Sequence, residues 1–483
     1  MHNSDIILCI GSGKEFSSVK AELIAIKNEK DFLYIYDRDT KVATGVYHTS
    51  VYDINLDTLI EVFDPAQVSF VFLDDTENDY DAGYDFYKTG MFVSSAESAG
   101  FYVEYMNDEF KNNFLNIINK NNAICVMPWI AIHKNAGETN SCCLQRSFPP
   151  MEELKEYMTT GDLHDTCRYC HKLEENNIIS DRMLLSSYWA RRLNIKTIQD
   201  LTEQKVVYYD IRLSNKCNAM CRICSPANSN LIDAEYYKLG LTKIKIGNTD
   251  TQFISDQKII DSKRIYVAGG EPLIHSDFIK TLELLKNKNL LDKEIVVNTN
   301  AAVLPEKFAE LAQRFTNLMF TISTDAIGKK LTYTRWPIKW DKFVNNIAEL
   351  CKISNHKLEF NVTLSIYNIS DCYETFKWIS DNYPESDVLP NILHSPEVQQ
   401  LKLFPNKDEV LQNFNKIKTL PFYKTNKNFA SVIDYAVKQC TETQIDPEML
   451  AKFFEFNDLL DDSRKVLLKD HLPLLEDCRK YVN

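Results

Sequence analysis

From residue 206 to about residue 404 two hydrophobic periodicities take turns, and that exchange restricts the chain more than any other feature. Short apolar runs at Val206–Leu213, Arg264–Ala268, Glu294–Asn298, Leu318–Ser323, Leu358–Leu364 and Val398–Phe404 read as strands. Segments with helical spacing fall between most of them, at Asp277–Asn287, Glu306–Arg314, Trp340–Cys351 and Glu374–Asn382. Strand and helix in alternation require crossover connections, which are right-handed and give a parallel sheet. Six such units are enough for an α/β fold in the form of an open, partial (βα)6 barrel of the TIM type.

The flanks read differently. Up to residue 115, strand-like runs at Ile6–Ile10, Phe32–Tyr36 and Val68–Leu73 alternate with helical spacing at Glu15–Lys27 and Asn55–Phe63, which predicts a small α/β module. Gly11-Ser12-Gly13-Lys14 follows its first strand but lacks the upstream glycine and the Ser/Thr of a phosphate-binding loop. Residues 120–200 are cysteine-rich and then helical, residues 205–405 are the expected barrel, and residues 406–483 form a helical cap, with helical spacing at Glu448–Leu460 and Arg464–Leu475. A chain of 483 residues accommodates such a division. No apolar run approaches the roughly 20 residues of a membrane helix, and the first apolar stretch is too short for a signal peptide, so the expectation is a cytoplasmic protein without membrane contact. The formal net charge of −13 argues against a broad phosphate-binding surface and disfavours nucleic acid.

Thirteen cysteines are unevenly placed. Cys9, Cys351, Cys372, Cys440 and Cys478 are scattered and read as small buried hydrophobes. Cys217, Cys221 and Cys224 lie within eight residues, directly after the first barrel strand. The C-terminal ends of such strands are where sites are built. Three thiolates can hold one corner of an iron–sulfur cubane and leave one iron open, whereas structural zinc wants a fourth ligand that no nearby residue supplies. The second strand runs into Gly269-Gly270-Glu271-Pro272, where glycine permits close backbone approach and exposed peptide groups can bind an amino or carboxylate group.

In these two motifs, Cys217-x-x-x-Cys221-x-x-Cys224 and Gly269–Pro272, the chain resembles the radical S-adenosylmethionine (SAM) superfamily. The resemblance implies a [4Fe-4S] cluster on the three cysteines, with its open iron chelating S-adenosyl-L-methionine. It implies that Gly269, Gly270, Glu271 and Pro272 hold the methionine amino group, with Ser323, Asp325 and Asn361 at the ribose and carboxylate. Turn chemistry and helix capping are the plainer readings of those three polar residues. Arg335 reads either as a carboxylate ligand or as one half of an ion pair.

Upstream, Cys125 begins a strand-like stretch ending at His133, a turn follows at Asn135–Glu138, and Cys142-Cys143 and Cys167-Arg-Tyr-Cys170 come after it. A hairpin would bring Cys125 towards Cys142 or Cys143, and four thiolates suit either zinc or a fully ligated cluster. Adjacent cysteines rarely share one metal, so one of the pair is a spectator and Cys143 is the preferred ligand. The pattern resembles the twitch or SPASM domains that carry an auxiliary [4Fe-4S] cluster, although such domains usually follow the barrel. The implied activity is radical oxidation or crosslinking of a peptide or protein side chain, supplied with electrons by a flavodoxin or ferredoxin. A dehydrogenase of a small molecule or nucleotide-sugar is the alternative, and a non-catalytic, metal-stabilised binding protein is the alternative from another class. No catalytic residue is assigned from the sequence.

Overall fold

The computed structural model describes residues 6–11, 32–37, 68–72 and 102–105, and residues 123–482 apart from short stretches at 136–137, 146–148, 177, 179, 196, 250–254 and 355–357. The chain divides into two units. One comprises Met1–Ile130, Leu144–Glu175 and Ile179–Lys205; the other comprises Ala131–Cys143, Asn176–Ile178 and Val206–Asn483.

In the first unit, β1 (Ile6–Gly11), β2 (Phe32–Asp37), β3 (Val68–Phe72) and β4 (Tyr102–Tyr105) form a parallel sheet in the order β2-β1-β3-β4. The expected helices at Glu15–Lys27 and Asn55–Phe63, and Ser12–Lys14, lie outside the described residues. Cys9 is on β1. The same unit contains helices Met151–Thr160, Arg168–Glu174 and Asp181–Arg192.

The second unit is built on an eight-stranded sheet. Its strands are β5 (Ala131–Asn135), β6 (Glu138–Asn140), β7 (Tyr208–Arg212), β9 (Arg264–Ala268), β10 (Glu294–Thr299), β11 (Leu318–Ser323), β13 (Glu359–Leu364) and β14 (Asp387–Ile392), in the order β14-β13-β11-β10-β9-β7-β5-β6. Every neighbouring pair is parallel except the β5–β6 hairpin. Helices Ser276–Asn287, Glu306–Ala312, Trp340–Ile353 and Cys372–Asn382 connect the strands. A fully buried core forms where Ile211, Ile265, Val267, Val297, Phe320, Phe360 and Val362 meet Phe278, Phe308, Phe343 and Phe376. These strand residues alternate with polar ones, so the sheet's other face carries Asp210, Arg212, Tyr266, Thr321, Ser323, Glu359 and Asn361.

Two expectations are corrected. The sixth strand is Asp387–Ile392, which contains Pro390; this residue is tolerated because β14 is an edge strand with a partner on one side only. Val398–Phe404 instead forms two 3-10 turns, Glu397–Gln399 and Leu401–Leu403, which bury Leu401, Leu403 and Phe404 under the helices that follow. Likewise, helical spacing over Arg464–Leu475 does not yield one helix. Helix Pro447–Arg464 stops at Lys465, whose φ of 58° is left-handed, and Pro473 opens a separate turn.

Cys372, Cys440 and Cys478 are buried, and Cys351 is half-buried. Among the described residues no helix is long and apolar enough to cross a membrane.

The helical segment is bound to the sheet unit by a buried ion pair. Arg464 donates to both carboxylate oxygens of Glu235, with Nη2 at 2.6 Å and Nε at 3.0 and 3.2 Å. Removing one partner of such a pair strands a buried charge at a cost of about 3–5 kcal/mol. Glu235→Ala should therefore lower the urea midpoint sharply, while a double replacement by apolar residues of similar volume should recover most of the loss.

Candidate functional site

The three cysteines of the short motif lie beyond the C-terminal end of β7, on a loop that three separate contacts hold in place. The first is a strand pairing. β8 (Met220–Cys221) runs antiparallel to β12 (Arg335–Trp336), and Arg222 N–H donates to the Thr334 carbonyl at 2.8 Å. The second is a close backbone approach. Gly269 and Gly270 have φ of 83° and 55°, and a Cβ on Gly270 would lie 2.1 Å from the Lys216 carbonyl oxygen. A Cβ on Gly269 would lie 2.9 Å from Arg212 Cα. Gly269 is thus required by the end of β7 and Gly270 by the start of the cysteine loop, and Glu271 N–H donates to the Lys216 carbonyl at 3.0 Å.

The third contact is Arg222, between Cys221 and Cys224. Its side chain is fully buried and donates to the Tyr333 carbonyl at 3.1 Å, to Asn457 Oδ1 at 2.7 Å and to the Asp461 carboxylate. Its guanidinium lies 3.6 Å from the centre of the Tyr333 ring. Asn457 and Asp461 belong to helix Pro447–Arg464, so the cysteine loop and the C-terminal helices form one hydrogen-bonded structure.

Donors reach the sulfurs. Asn300 Nδ2 lies 3.8 Å from Cys217 Sγ, and Arg335 Nη1 lies 3.9 Å from Cys221 Sγ. The Cys217 N–H donates to Asn230 Oδ1 at 3.1 Å. Burial pushes all three thiols up, Cys224 to about 12, and Cys221 raises both Cys217 and Cys224 further. Thiolates this close and shielded from water repel one another, and a cationic metal centre is what stabilises them. The donor set therefore fits an iron–sulfur cluster. Among the described residues no three His, Cys, Asp or Glu side chains close on the position of a single ion.

Glu271 is fully buried and used internally. It accepts hydrogen bonds from Thr299 Oγ1 at 2.7 Å, Leu273 N–H at 3.0 Å and Asn300 N–H at 2.7 Å, which braces β9 against β10. Burial raises its carboxyl to about 7, although these hydrogen bonds oppose the shift. Pro272 is buried and opens the 3-10 turn Pro272–Ile274.

Asp325 is also occupied, by Arg335 Nε at 2.8 Å and by the Thr363 N–H at 3.0 Å. This places Arg335 in an ion pair beside Cys221. Ser323 donates to Asn298 at 2.9 Å, and Asn361 accepts from Asn391 at 2.7 Å. Ser323 and Asn361 are partners in register across β11 and β13.

Polar residues on the same face escaped the sequence reading. Asp210 accepts from Arg212 at 3.0 Å and lies 3.1 Å from His133 Nδ1, and Arg212 lies over the Tyr266 ring at 5.4 Å. Their signal was the alternation Tyr208-Tyr-Asp-Ile-Arg212, which shows one polar face, but the register with β5 was needed to add His133.

The upstream cysteines fall in both units. In the first, Cys125, Cys167 and Cys170 lie near enough that Cys125 raises the other two, after burial, which takes Cys167 to about 12. Arg182 stands beside them, donates to the Ile124 carbonyl at 2.8 Å and pairs with Glu174, which also accepts from Ser180. Burial would raise Glu174, but hydrogen bonds from His171, Arg182 and Ser180 outweigh it and hold the carboxyl at about 2. The hairpin begins at Ala131, after a helical turn at Met127–Ile130, so its pairing does not extend to Cys125. In the second unit Cys142 is half-buried, and Cys143 is exposed and close enough to Arg212, Tyr208 and Tyr266 to perturb them.

A parallel α/β sheet with three clustered cysteines at its C-terminal edge is an arrangement suited to an iron–sulfur cluster, and residues 211–379 match the model of the radical SAM superfamily. That match identifies a radical SAM domain within residues 211–379, and the radical SAM superfamily uses a [4Fe-4S] cluster and S-adenosyl-L-methionine as cofactors. It is similar to a probable GTP 3',8-cyclase of Methanocaldococcus jannaschii, 24% identical over 230 residues that make up 45% of this chain and 71% of that protein. It is also similar to molybdenum cofactor biosynthesis protein 1 of Dictyostelium discoideum, 28% identical over 158 residues, 32% of this chain and 24% of that one. Among solved structures, Streptococcus suis SuiB bound to S-adenosylmethionine is 15% identical, with 57% of this chain and 60% of that chain covered at a TM-score of 0.32.

Two outcomes test the geometry. Gly270→Ala must displace the Lys216 backbone and should abolish iron incorporation at the cysteine loop, read as loss of the charge-transfer absorbance. Because folding raises the Glu271 carboxyl, the folded form holds its proton more tightly. Its contribution to stability is complete below about pH 4.5 and falls away as pH rises through about 7. Glu271→Gln should flatten the pH dependence of the denaturation midpoint across that window.

Proposed function

We propose that Cys217, Cys221 and Cys224 ligate the [4Fe-4S] cluster, and that S-adenosyl-L-methionine binds beside it among Gly269, Gly270, Glu271, Pro272, Ser323, Asp325 and Asn361. The observation that carries this reading is the convergence of three half-buried thiols with Asn300 and Arg335 aimed at two of their sulfurs. Bound there, the two cofactors supply a 5'-deoxyadenosyl radical that takes a hydrogen atom from substrate.

The chain's own residues have separate tasks. Glu271 shapes the β9–β10 edge from within, Arg335 holds a positive charge beside Cys221, and Arg222 fixes the loop. On this reading β7, β9, β10, β11, β13 and β14 are the partial (βα)6 barrel, extended by the β5–β6 hairpin and closed at one end by the C-terminal helices, and the face bearing His133, Asp210, Arg212 and Tyr266 lines the substrate space.

The substrate class we favour is a peptide or protein side chain, oxidised or crosslinked. The arginines at this end of the sheet are each matched by a carboxylate, Arg212 by Asp210 and Arg335 by Asp325, which suits a substrate without a chain of phosphates. A nucleotide is the second reading, and the names of the GTP 3',8-cyclase relatives favour it. We further propose that Cys125, Cys167 and Cys170 help to hold an auxiliary [4Fe-4S] cluster, which can accept an electron from a substrate radical. Zinc is the competing occupant.

Anaerobically reconstituted protein should release 5'-deoxyadenosine only with reductant, and Cys217→Ala should abolish it; an unchanged rate would overturn the assignment. Adding candidate peptides or GTP should raise the yield for the true substrate class alone. In a variant lacking Cys217, Cys221 and Cys224, about four irons per chain should remain at the upstream thiols. No residual iron, or one zinc, would remove the auxiliary cluster.

A further inference from the structure

We propose that the turn after helix Asn230–Lys238 is the docking surface for the acidic electron-carrier protein that reduces the cluster. The proposal rests on the cluster assignment made above.

The segment Lys238–Thr249 carries three lysines, Lys238, Lys243 and Lys245, and no acidic residue, in a chain whose 68 Asp and Glu outnumber 55 Lys and Arg. All three lysines are exposed, and among the described residues none meets a carboxylate. Large apolar side chains accompany them. Ile244 is 78% exposed, Tyr237 52% and Ile246 47%, with Leu231 exposed on the same helix. A cluster of solvent-facing apolar residues rimmed by one sign of charge is the composition of a protein-binding surface rather than of a solvated loop.

The segment is exposed yet anchored. Gly240, with φ of 74°, turns the chain back along the helix, and the Ile246 and Gly247 N–H groups donate to the buried Asp233 carboxylate at 2.9 and 2.8 Å. Asn215 then donates to the Gly247 carbonyl at 2.8 Å and accepts from the Thr249 N–H at 3.0 Å. Asn215 lies two residues before Cys217, and Asn230, at the start of the same helix, accepts from the Cys217 N–H. The apolar and basic side chains therefore stand on a rigid turn that is hydrogen-bonded into the cysteine loop. Such a turn can bring a partner's redox group towards the thiols without ordering a flexible segment.

Charge selects the partner. A basic patch on a chain with net charge −13 attracts an acidic protein at this place and repels it elsewhere. The chemistry asks for a one-electron carrier: its reduced flavin or iron–sulfur group loses one electron and the cluster gains one. No bond is made or broken at the surface.

The test uses the full reconstituted chain, a purified acidic flavodoxin as probe, and dithionite as a small reductant that needs no docking. Lys243→Glu/Lys245→Glu and Ile244→Ser should each weaken flavodoxin binding, the charge reversal by at least about tenfold at low ionic strength. The flavodoxin-driven rate of 5'-deoxyadenosine release should fall in parallel, while the dithionite-driven rate and iron content stay at wild-type values. Lys243→Gln/Lys245→Gln provides a milder variant should the reversal impair folding. Unchanged flavodoxin binding in these variants, or wild-type binding indifferent to salt, would overturn the proposal. So would weakened binding of a substrate peptide or GTP with the carrier unaffected. Failure of dithionite-driven cleavage in the wild-type chain would instead refute the cluster assignment, and the binding measurement would still decide the docking surface.

Discussion

The buried guanidinium of Arg222 is the contact on which the arrangement of the site depends. Isolated, a cation there would cost several kcal/mol in lost hydration. It is matched by the Asp461 carboxylate, the Asn457 amide, the Tyr333 carbonyl and the Tyr333 ring, so that its donors and charge are used in one place. Tyr333 Oη in turn donates to Asp461, and Asn457 donates to Tyr333 Oη. Gln399 closes the network by donating to the Arg222 carbonyl at 2.8 Å. The loop between Cys221 and Cys224 is thereby positioned by residues distant in the chain, Asn457 and Asp461 more than two hundred places further along.

The opposite end of the loop is held by absence of volume. Arg212 and Lys216 occupy the space that side chains at positions 269 and 270, respectively, would fill, and Glu271 joins the same turn to Thr299 and Asn300. Close backbone approach and a buried polar network thus act on the two ends of one cysteine loop. The first unit repeats the second device, with Arg182 and Glu174 beside Cys125, Cys167 and Cys170. In both places an arginine carries positive charge to thiols that burial alone would keep protonated.

Much of the fold was legible in the sequence. Five of the six expected strands of the parallel series recur within a few residues, because alternating apolar positions on a helix-covered sheet leave a strong period-two signal. The sixth was misplaced because Pro390 resembles a strand breaker unless one knows that the strand lies at an edge. Of the site, the cysteine and glycine motifs were readable as local spacing. Arg222 was not, since an arginine inside a cysteine motif has no local mark of burial, and neither was His133, which joins Asp210 only through the β5–β7 register.

By itself the sequence determined the alternation that demands a parallel sheet, the placement of Cys217, Cys221 and Cys224 directly after the strand that opens that alternation, and the glycines one unit later. These are short-range properties, carried by periodicity and by residue types that no other local role explains well. Only the tertiary structure decided what the glycines accommodate, which partners Glu271 and Asp325 take, and which helix secures the cysteine loop. Those outcomes depend on burial and on contacts between residues distant in the chain, and in a folded interior each buried charge or donor must find a partner wherever the fold brings one.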